Sequence, residues 1–503
     1  MAKEGRVLQR EWKRVRIADS LRLVNGAAFK PTNWTKDGLP IVRIQNLNNP
    51  EAAFNRTTRV LPGKFKLRGG ELLFAWSGTP GTSFGAHIWR GGEAWLNQHI
   101  FNVLFDENEW DKKFLQFAIN QNLADYIRAA HGGAGLAHIT KGRFEESELL
   151  QPTPNQQRRI VAEIEKQFTR LEAGVAALRR VQANLKRYRA AVLKAACEGR
   201  LVPTEAELAR VGRVPPRGVR PNAKNAASGD AAYNAAPYET GEQLLQRILT
   251  ERRQNWQGRG QYKEPAALDT TNLPPLPNGW TWASVEQLST RVQYGSSAKT
   301  NEHSTGVPVL RMGNIQDGKF DFGRLKYLPK AHDEFPELLL ARGDLLFNRT
   351  NSAELVGKTA VFKGTPYPCS FASYLIRVRF GRGCVPDFVN YFINSVLGRA
   401  WIADVVSQQV GQANVNGTKL QALAVPLPPL AEQTRIVAEV ERRLSVVEES
   451  ETVVSANLQR ATHLRQSILQ KAFSGSLITL RTRNDALKRG ERGSTYVEMD
   501  IEL

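Results

Sequence analysis

The run Arg159-Ile160-Val161-Ala162-Glu163-Ile164-Glu165 recurs 276 positions later as Arg435-Ile436-Val437-Ala438-Glu439-Val440-Glu441. The offset holds without a gap for some forty residues, carrying Leu193 onto Leu469, Ala196 onto Ala472, Gly199 onto Gly475 and Leu201 onto Leu477. A repeat of this length fixes the architecture before any element is assigned: the chain has two pseudo-equivalent halves.

Each copy has helical rhythm. Ile160, Ile164, Phe168, Leu171, Val175, Leu178, Val181, Leu185, Tyr188 and Val192 follow at spacings of three or four. The second copy keeps the rhythm at Ile436, Val440, Leu444, Val447, Val454, Leu464 and Ile468, with Glu451 and Asn457 as polar interruptions. A stripe this narrow is a coiled-coil seam rather than a broad core face. No proline falls inside either run; Pro154 and Pro429 stand just ahead, and Gly199 and Gly475 are natural helix stops. A helix of about forty residues is roughly 60 Å long. Such a stripe needs a partner, and the matched register makes the other copy the best one, with Ile160, Ile164, Leu171, Leu178, Leu185, Ile436, Val440, Leu444, Val447 and Leu464 expected in the seam.

At 503 residues the chain exceeds one domain. Its 69 Lys and Arg against 49 Asp and Glu leave a net charge of +20, which favours a polyanionic partner. Three cysteines, Cys197, Cys369 and Cys384, form no CxxC pair, so neither a disulfide framework nor a zinc site is expected. No apolar stretch marks a signal peptide or a membrane span. A cytoplasmic protein is expected.

Residues 1–150 read as a globular domain with strands at Pro40–Ile44, Glu71–Trp76 and His99–Phe105, a helix over Asp111–Arg128, and a glycine-rich loop at His131–Gly135. From Pro203 to Pro277 the composition turns to Pro, Ala, Asn and Gly, reading as a linker with a short helix at Gly241–Arg253. The second half then echoes the first. Val307–Arg311 answers Leu39–Arg43, Arg342–Phe347 answers Gly69–Phe74, Tyr374–Val378 answers the strand at His99, and Val415 and Leu420 answer Ile139 and Phe144. Framework repeats while loops and polar side chains diverge, as in one scaffold presented twice with different recognition loops.

Catalytic motifs fail one by one. Gly357-Lys358-Thr359 resembles the end of a P-loop, but the first glycine it needs is Ser352. Gly133-x-Gly135 ends at His138 where a dinucleotide fingerprint wants glycine. The seven histidines have no metal spacing, and no Asn/Asp-Pro-Pro-aromatic motif of an adenine methyltransferase is present. Catalysis by the chain alone is not expected.

Two divergent globular domains, each followed by a related long helix, resemble the specificity (S) subunit of type I restriction–modification systems. The resemblance is carried by Pro426-Leu427-Pro428-Pro429-Leu430-Ala431-Glu432-Gln433-Thr434-Arg435-Ile436-Val437 and its first-half version, Gln151-Pro152-Thr153-Pro154-Asn155-Gln156-Gln157-Arg158-Arg159-Ile160-Val161. Lys471–Leu477 closes the second helix, Leu276–Trp280 enters the second domain, and the likeness spans about residues 10–480. It implies an α+β fold of two target recognition domains whose long helices pair as an antiparallel coiled coil. The division would be 1–150, first recognition domain; 151–201, central helix; 202–275, linker; 276–427, second recognition domain; 428–478, distal helix; 479–503, tail. It implies a DNA-reading jig for a bipartite asymmetric site, without cofactor or metal of its own. Its partners would be double-stranded DNA, two S-adenosylmethionine-dependent adenine methyltransferase subunits, and restriction subunits using ATP and Mg.

Base edges are read by Arg, Lys, Asn, Gln, Ser or Thr on loops, and phosphates by Lys and Arg. The candidates are Arg43, Gln45, Asn46, Trp76, Ser77, His138 and Lys141 in the first half, and Arg311, Asn314, Arg349, Asn351, Gln412 and Asn414 in the second. The plainer account is turn chemistry for the asparagines and serines, and a structural role for Arg43 and Arg311, which both halves share. The alternative function is a non-catalytic coiled-coil assembly protein whose basic charge is incidental.

Overall fold

The computed structural model describes residues 12–49, 52–78, 83–129, 137–211, 238–257, 260–409 and 412–474. The loop His131–Gly135, Gly475 and Leu477 lie outside them. The chain divides into two compact units, Met1–Arg180 with Val454–Leu503, and Val181–Val453.

In the first unit, an antiparallel sheet has the strand order Leu21–Asn25, Ile100–Phe105, Leu72–Ala75, Gly85–Ile88. Leu72–Ala75 is buried at every position because its two faces feed different cores. Leu72 and Phe74 join one that includes Phe101, Phe114 and Phe144, whereas Leu73 and Ala75 join another with Val42, Leu96 and Ile100. A strand covered on both faces reads as a continuous apolar run. A second small sheet pairs Leu39–Val42 with Arg56–Thr57 and, in parallel, with Ala94–Leu96.

The second unit repeats this plan. Its sheet runs Ser289–Tyr294, Leu375–Phe380, Leu345–Asn348, Thr359–Val361. Leu345 and Phe347 face one core and Leu346 another. The pairings Phe101↔Asn25 and Phe101↔Phe74 are answered by Ile376↔Tyr294 and Ile376↔Phe347. The frame is therefore superposable strand by strand.

The helix expected over Asp111–Arg128 is two, Lys112–Gln121 and Leu123–Ala129, broken at Asn122, whose backbone leaves the helical region (ψ 7°). Asp111 caps the first by accepting the backbone N–H groups of Lys113 and Phe114. The strand expected to reach Ile44 ends at Val42, and Ile44–Asn48 is helical. The short helix expected in the linker is Gly241–Gln254, and it does not lie free: Leu244, Leu245 and Ile248 are buried in the second unit's core beside Ala283, Val285 and Leu288. Its first residue must be glycine, because a Cβ on Gly241 would stand 2.2 Å from the Leu427 carbonyl oxygen.

Each globular fold is tied shut just before its long helix. Lys13–Arg16 pairs antiparallel with Glu148–Gln151, and Thr281–Ser284 with Ala424–Leu427. The long helices follow at once, Pro154–Cys197 and Leu430–Phe473, 44 residues each. One glutamine per half anchors the junction. Gln157 is fully buried; its Oε1 accepts the Asp111 backbone N–H at 2.7 Å, and its Nε2 donates to the Glu109 and Pro152 carbonyls, each at 2.8 Å. Gln433, also fully buried, accepts from the Val385 N–H at 2.8 Å and donates to the Gly383 and Pro428 carbonyls at 3.1 and 2.9 Å. In both halves the amide joins the helix start to the N-terminus of a domain helix, Lys112–Gln121 or Pro386–Asn394.

The long helices pair antiparallel. In the first unit the start of one (Ile160, Val161, Ile164, Phe168) packs with the end of the other (Ile468, Ala472, Phe473). In the second, Val192, Leu193 and Ala196 pack with Ile436, Val440 and Leu444. Arg465 lies over the Phe168 ring and 3.3 Å from Glu172; Arg189 reaches Glu451 at 3.0 Å and Glu448 at 3.9 Å. The repeat turns Arg189 into Arg465 and Glu448 into Glu172, as when two copies of one surface meet each other. Glu451, a polar break in the stripe, is thereby explained.

The seam is less uniform than the spacing implies. Ile160, Ile164, Ile436, Val440, Leu444 and Val447 are buried, whereas Leu171, Leu178 and Leu185 are half-buried. Leu464 is 51% exposed and does not close the seam. Two helices alone leave much of a large side chain open, and a domain core supplies a third layer at Ile160, Ile164 and Ile468.

Replacing Gln157 or Gln433 by alanine strands one buried N–H and two carbonyls, so each variant is expected to lose on the order of 2–4 kcal/mol of unfolding free energy. Denaturant titration of the purified protein measures it, and a loss below about 1 kcal/mol would show the junction to be held otherwise.

Candidate nucleic-acid interface

The sequence-expected residues gather where strands end. In the first unit, Trp76 follows Leu72–Ala75, and Ser77–Gly78 pairs antiparallel with Ala137–His138, placing Ser77 opposite His138. The Trp76 ring packs 4.7 Å from His138 edge-on and 5.2 Å from His99, with Phe101 stacked at 5.9 Å. Its indole N–H donates to Asn25 Oδ1 at 3.4 Å, across the intervening strand Ile100–Phe105, from the end of the edge strand Leu21–Asn25. Arg43 comes from the second small sheet and lies 5.5 Å over the ring of Trp34, itself 40% exposed. The result is a cluster of aromatic rings, two imidazoles and a guanidinium, the equipment for stacking and anion contact.

Burial first, then the positive neighbours His138 and Arg43, hold His99 below the usual histidine range. His87, on the strand Gly85–Ile88, is lowered by burial against one bond to the Ser83 carbonyl.

The second unit builds the corresponding place from different side chains. Arg349 follows Leu345–Asn348, and Thr350 pairs with Asn414. The Arg349 guanidinium lies 5.0 Å over the Tyr294 ring, and its Nε donates to the Ser373 carbonyl at 2.9 Å. Asn414 Nδ2 donates to Thr350 Oγ1 at 2.9 Å. Tyr374, 49% exposed, and Met312 border the group.

Several candidates are occupied elsewhere. Asn46 and Asn314 are buried turn residues, contrary to the expectation that they face a ligand. Each accepts the backbone N–H of the arginine three residues earlier, at 3.1 and 2.9 Å, and donates to carbonyls of the following loop. Ser77 is buried within its strand pair, which removes it as an outward contact. Arg311 is partly spent, its Nη2 reaching the Arg324 carbonyl at 3.4 Å. Asn351 accepts from the Ser352 N–H at 2.8 Å and donates to Met312 Sδ at 3.5 Å. Lys141 is exposed and paired with Glu145 at 3.4 Å, and Gln45 is exposed. Gln412 is placed by its strand, Gln412–Asn414, but its side chain lies outside the described residues. Asn25, Trp34, His99, Tyr294 and Tyr374 escaped the sequence reading, which looked for polar residues after strands. The repeat register that aligns His99 with Tyr374 was the signal that could have found two of them.

Among the described residues, no group of three or more His, Cys, Asp or Glu is placed to hold a metal, and no helix is long and apolar enough to cross a membrane.

The family model of the type I restriction modification DNA specificity domain matches residues 9–177 and again 291–447. The chain belongs to the type I specificity family. Both matched stretches of this specificity chain contain its strand-end cluster, one from Asn25 to His138 and the other from Tyr294 to Asn414. It is 31% identical over 226 residues to the type I restriction enzyme EcoKI specificity subunit of Escherichia coli (strain K12), covering 44% of this chain and 49% of that protein. The chain thus spans about half the length of that relative. Against the EcoBI specificity subunit of Escherichia coli it is 24% identical over 488 residues, covering 96% of this chain and 90% of that one. In fold it is similar to a chain of a solved structure described as the basis of complex assembly and conformational transition of the type I R-M system. That likeness has a TM-score of 0.56 at 19% identity, over 92% of this chain and 98% of the other.

His87 and His99 both favour their neutral forms in the folded specificity chain, so below about pH 6.5 the unfolded chain binds more protons than the folded one. Stability from these residues is present above that pH and lost as pH falls through it. Melting temperatures taken from about pH 7.5 to about pH 5.5 are expected to fall, and less steeply in a His87→Gln, His99→Gln double variant. Equal slopes would remove the histidines as the cause.

Proposed function

We propose that this chain is the DNA-reading subunit of a type I restriction–modification complex, each unit gripping one half of a bipartite, asymmetric site. The observation that carries the reading is the pair of equivalent strand-end clusters, alike in backbone and unlike in side chains, within two copies of a DNA specificity domain. Two copies with the same chemistry would suit a symmetric site; two with different chemistry suit unlike half-sites. The net charge of +20 adds the sequence-independent attraction to phosphate that places a reader on DNA before it discriminates. Arg43, Gln45, Trp76, His138, Lys141 and Arg349 are the side chains we assign to the interface.

In this reading the paired helices set the gap between half-sites and carry two copies of an adenine methyltransferase subunit, with restriction subunits joining the same assembly. S-adenosylmethionine belongs to the methyltransferase, and ATP and Mg to the restriction subunits. The chain itself orients and does not react. The division expected from sequence stands as part of the proposal, except that Gly241–Gln254 is assigned to the second recognition unit, whose core it enters.

Purification of the tagged chain from its host, with native mass determination and sequencing of co-eluting DNA, tests the proposal. The expected result is one copy with two of a methyltransferase, enriched on a two-part motif of fixed gap, with affinity falling steeply as salt rises. A homo-oligomer without DNA enrichment at low salt would overturn it in favour of the assembly protein.

A further inference from the structure

The two clusters share a backbone frame closely enough to compare side chains position by position. The Ile139 N–H donates to the Trp76 carbonyl at 3.0 Å, and the Val415 N–H to the Arg349 carbonyl at 2.9 Å. Ser77 pairs with His138 and Thr350 with Asn414. Trp76 and Arg349 are thus the same position, Asn25 and Tyr294 are the same position, and the two halves place the aromatic and the polar group the opposite way round. In the first unit the ring follows the inner strand and its polar partner ends the edge strand, with one strand between them. In the second the cation follows the inner strand and the ring ends the edge strand, again with one strand between.

The exchange changes what each site has left to offer. Trp76 has one donor, and Asn25 takes it. Arg349 has five, and the structure uses them unequally. Its Nε is fixed on the Ser373 carbonyl and its plane on Tyr294, whose hydroxyl is itself fixed by accepting the Gly417 N–H at 2.8 Å. Among the described residues, Nη1 and Nη2 carry no hydrogen bond. A guanidinium held by its face and its Nε presents one rigid edge of two parallel donors. A phosphate contact requires only charge and reach, which the exposed lysines of such a basic chain already supply. A fixed two-donor edge matches two adjacent acceptors in a plane, the O6 and N7 of guanine in the major groove.

We propose that Arg349 is a specificity-determining residue of the second half-site, reading one guanine through its two terminal nitrogens, and that the first half-site lacks this contact because Trp76 holds the equivalent position. The assignment rests on the DNA-reading role proposed above.

The test is selection of duplexes from a randomised pool by the intact complex from the host, carrying wild-type chain, Arg349→Lys, Arg349→Gln or Tyr294→Leu. Arg349→Lys keeps the charge and loses the fork; it is expected to relax discrimination at one guanine by about tenfold or more. Arg349→Gln is expected to relax the same base, and Tyr294→Leu, which frees the guanidinium from its ring, to relax it less. The other half-site, unchanged in every variant, reports that the chain is folded and assembled. Retained base preference in Arg349→Lys, with uniform weakening and a shallower salt dependence in Arg349→Gln, would place the contact on phosphate and overturn the assignment. Loss of preference at a base other than guanine would overturn it too. A wild-type complex that enriches no two-part motif would instead remove the DNA-reading role, and the assignment with it.

Discussion

A buried primary amide is an expensive side chain unless each of its groups finds a partner, and Gln157 and Gln433 find three apiece. Their bonds close on the backbone of a domain helix's N-terminus and on the proline carbonyl just ahead of the long helix. The direction in which each long helix leaves its domain is therefore set by hydrogen-bond geometry, which is directional, rather than by apolar packing alone, which is not. The helix pairing downstream inherits that direction. Within each unit the paired helices add an ion pair, Arg189–Glu448 in one and Arg465–Glu172 in the other.

Much of the frame was legible in the sequence because the chain states it twice. Period and offset gave the long helices, and the second helix's polar break at Glu451 proved to be an ion-pair site. The strands at Leu72 and Leu345 were legible as apolar runs, although a run does not say that alternate residues serve separate cores. Leu464 misled because periodicity records which face a residue is on and not how many layers cover that face. The apparent linker misled through its average composition, which diluted Leu244, Leu245 and Ile248 among proline, alanine and asparagine.

The candidate interface was legible only in part. Arg43, Trp76 and Arg349 were named because they follow strands and His138 because it lies in a polar loop, and the strand rule also swept in Asn46 and Asn314, whose amides complete local turns. A side chain that bonds its own loop and one that faces a ligand share composition and position; only burial and partners separate them. The remaining members were missed for a different reason. Asn25, His99, Tyr294 and Tyr374 come from strands distant in sequence, and it is the sheet register that brings them beside Trp76 and Arg349.

The first unit is made from two segments far apart in sequence: its core around Phe114 and Phe144 is completed by Ile468, Ala472 and Phe473. During synthesis, then, the earliest-made domain has an open flank until translation has passed Phe473. The second unit has no such delay, since the older segment it needs, Val192 to Ala196, has already emerged. Folding order is thereby inverted relative to chain order, and the domain made first is the last to be finished.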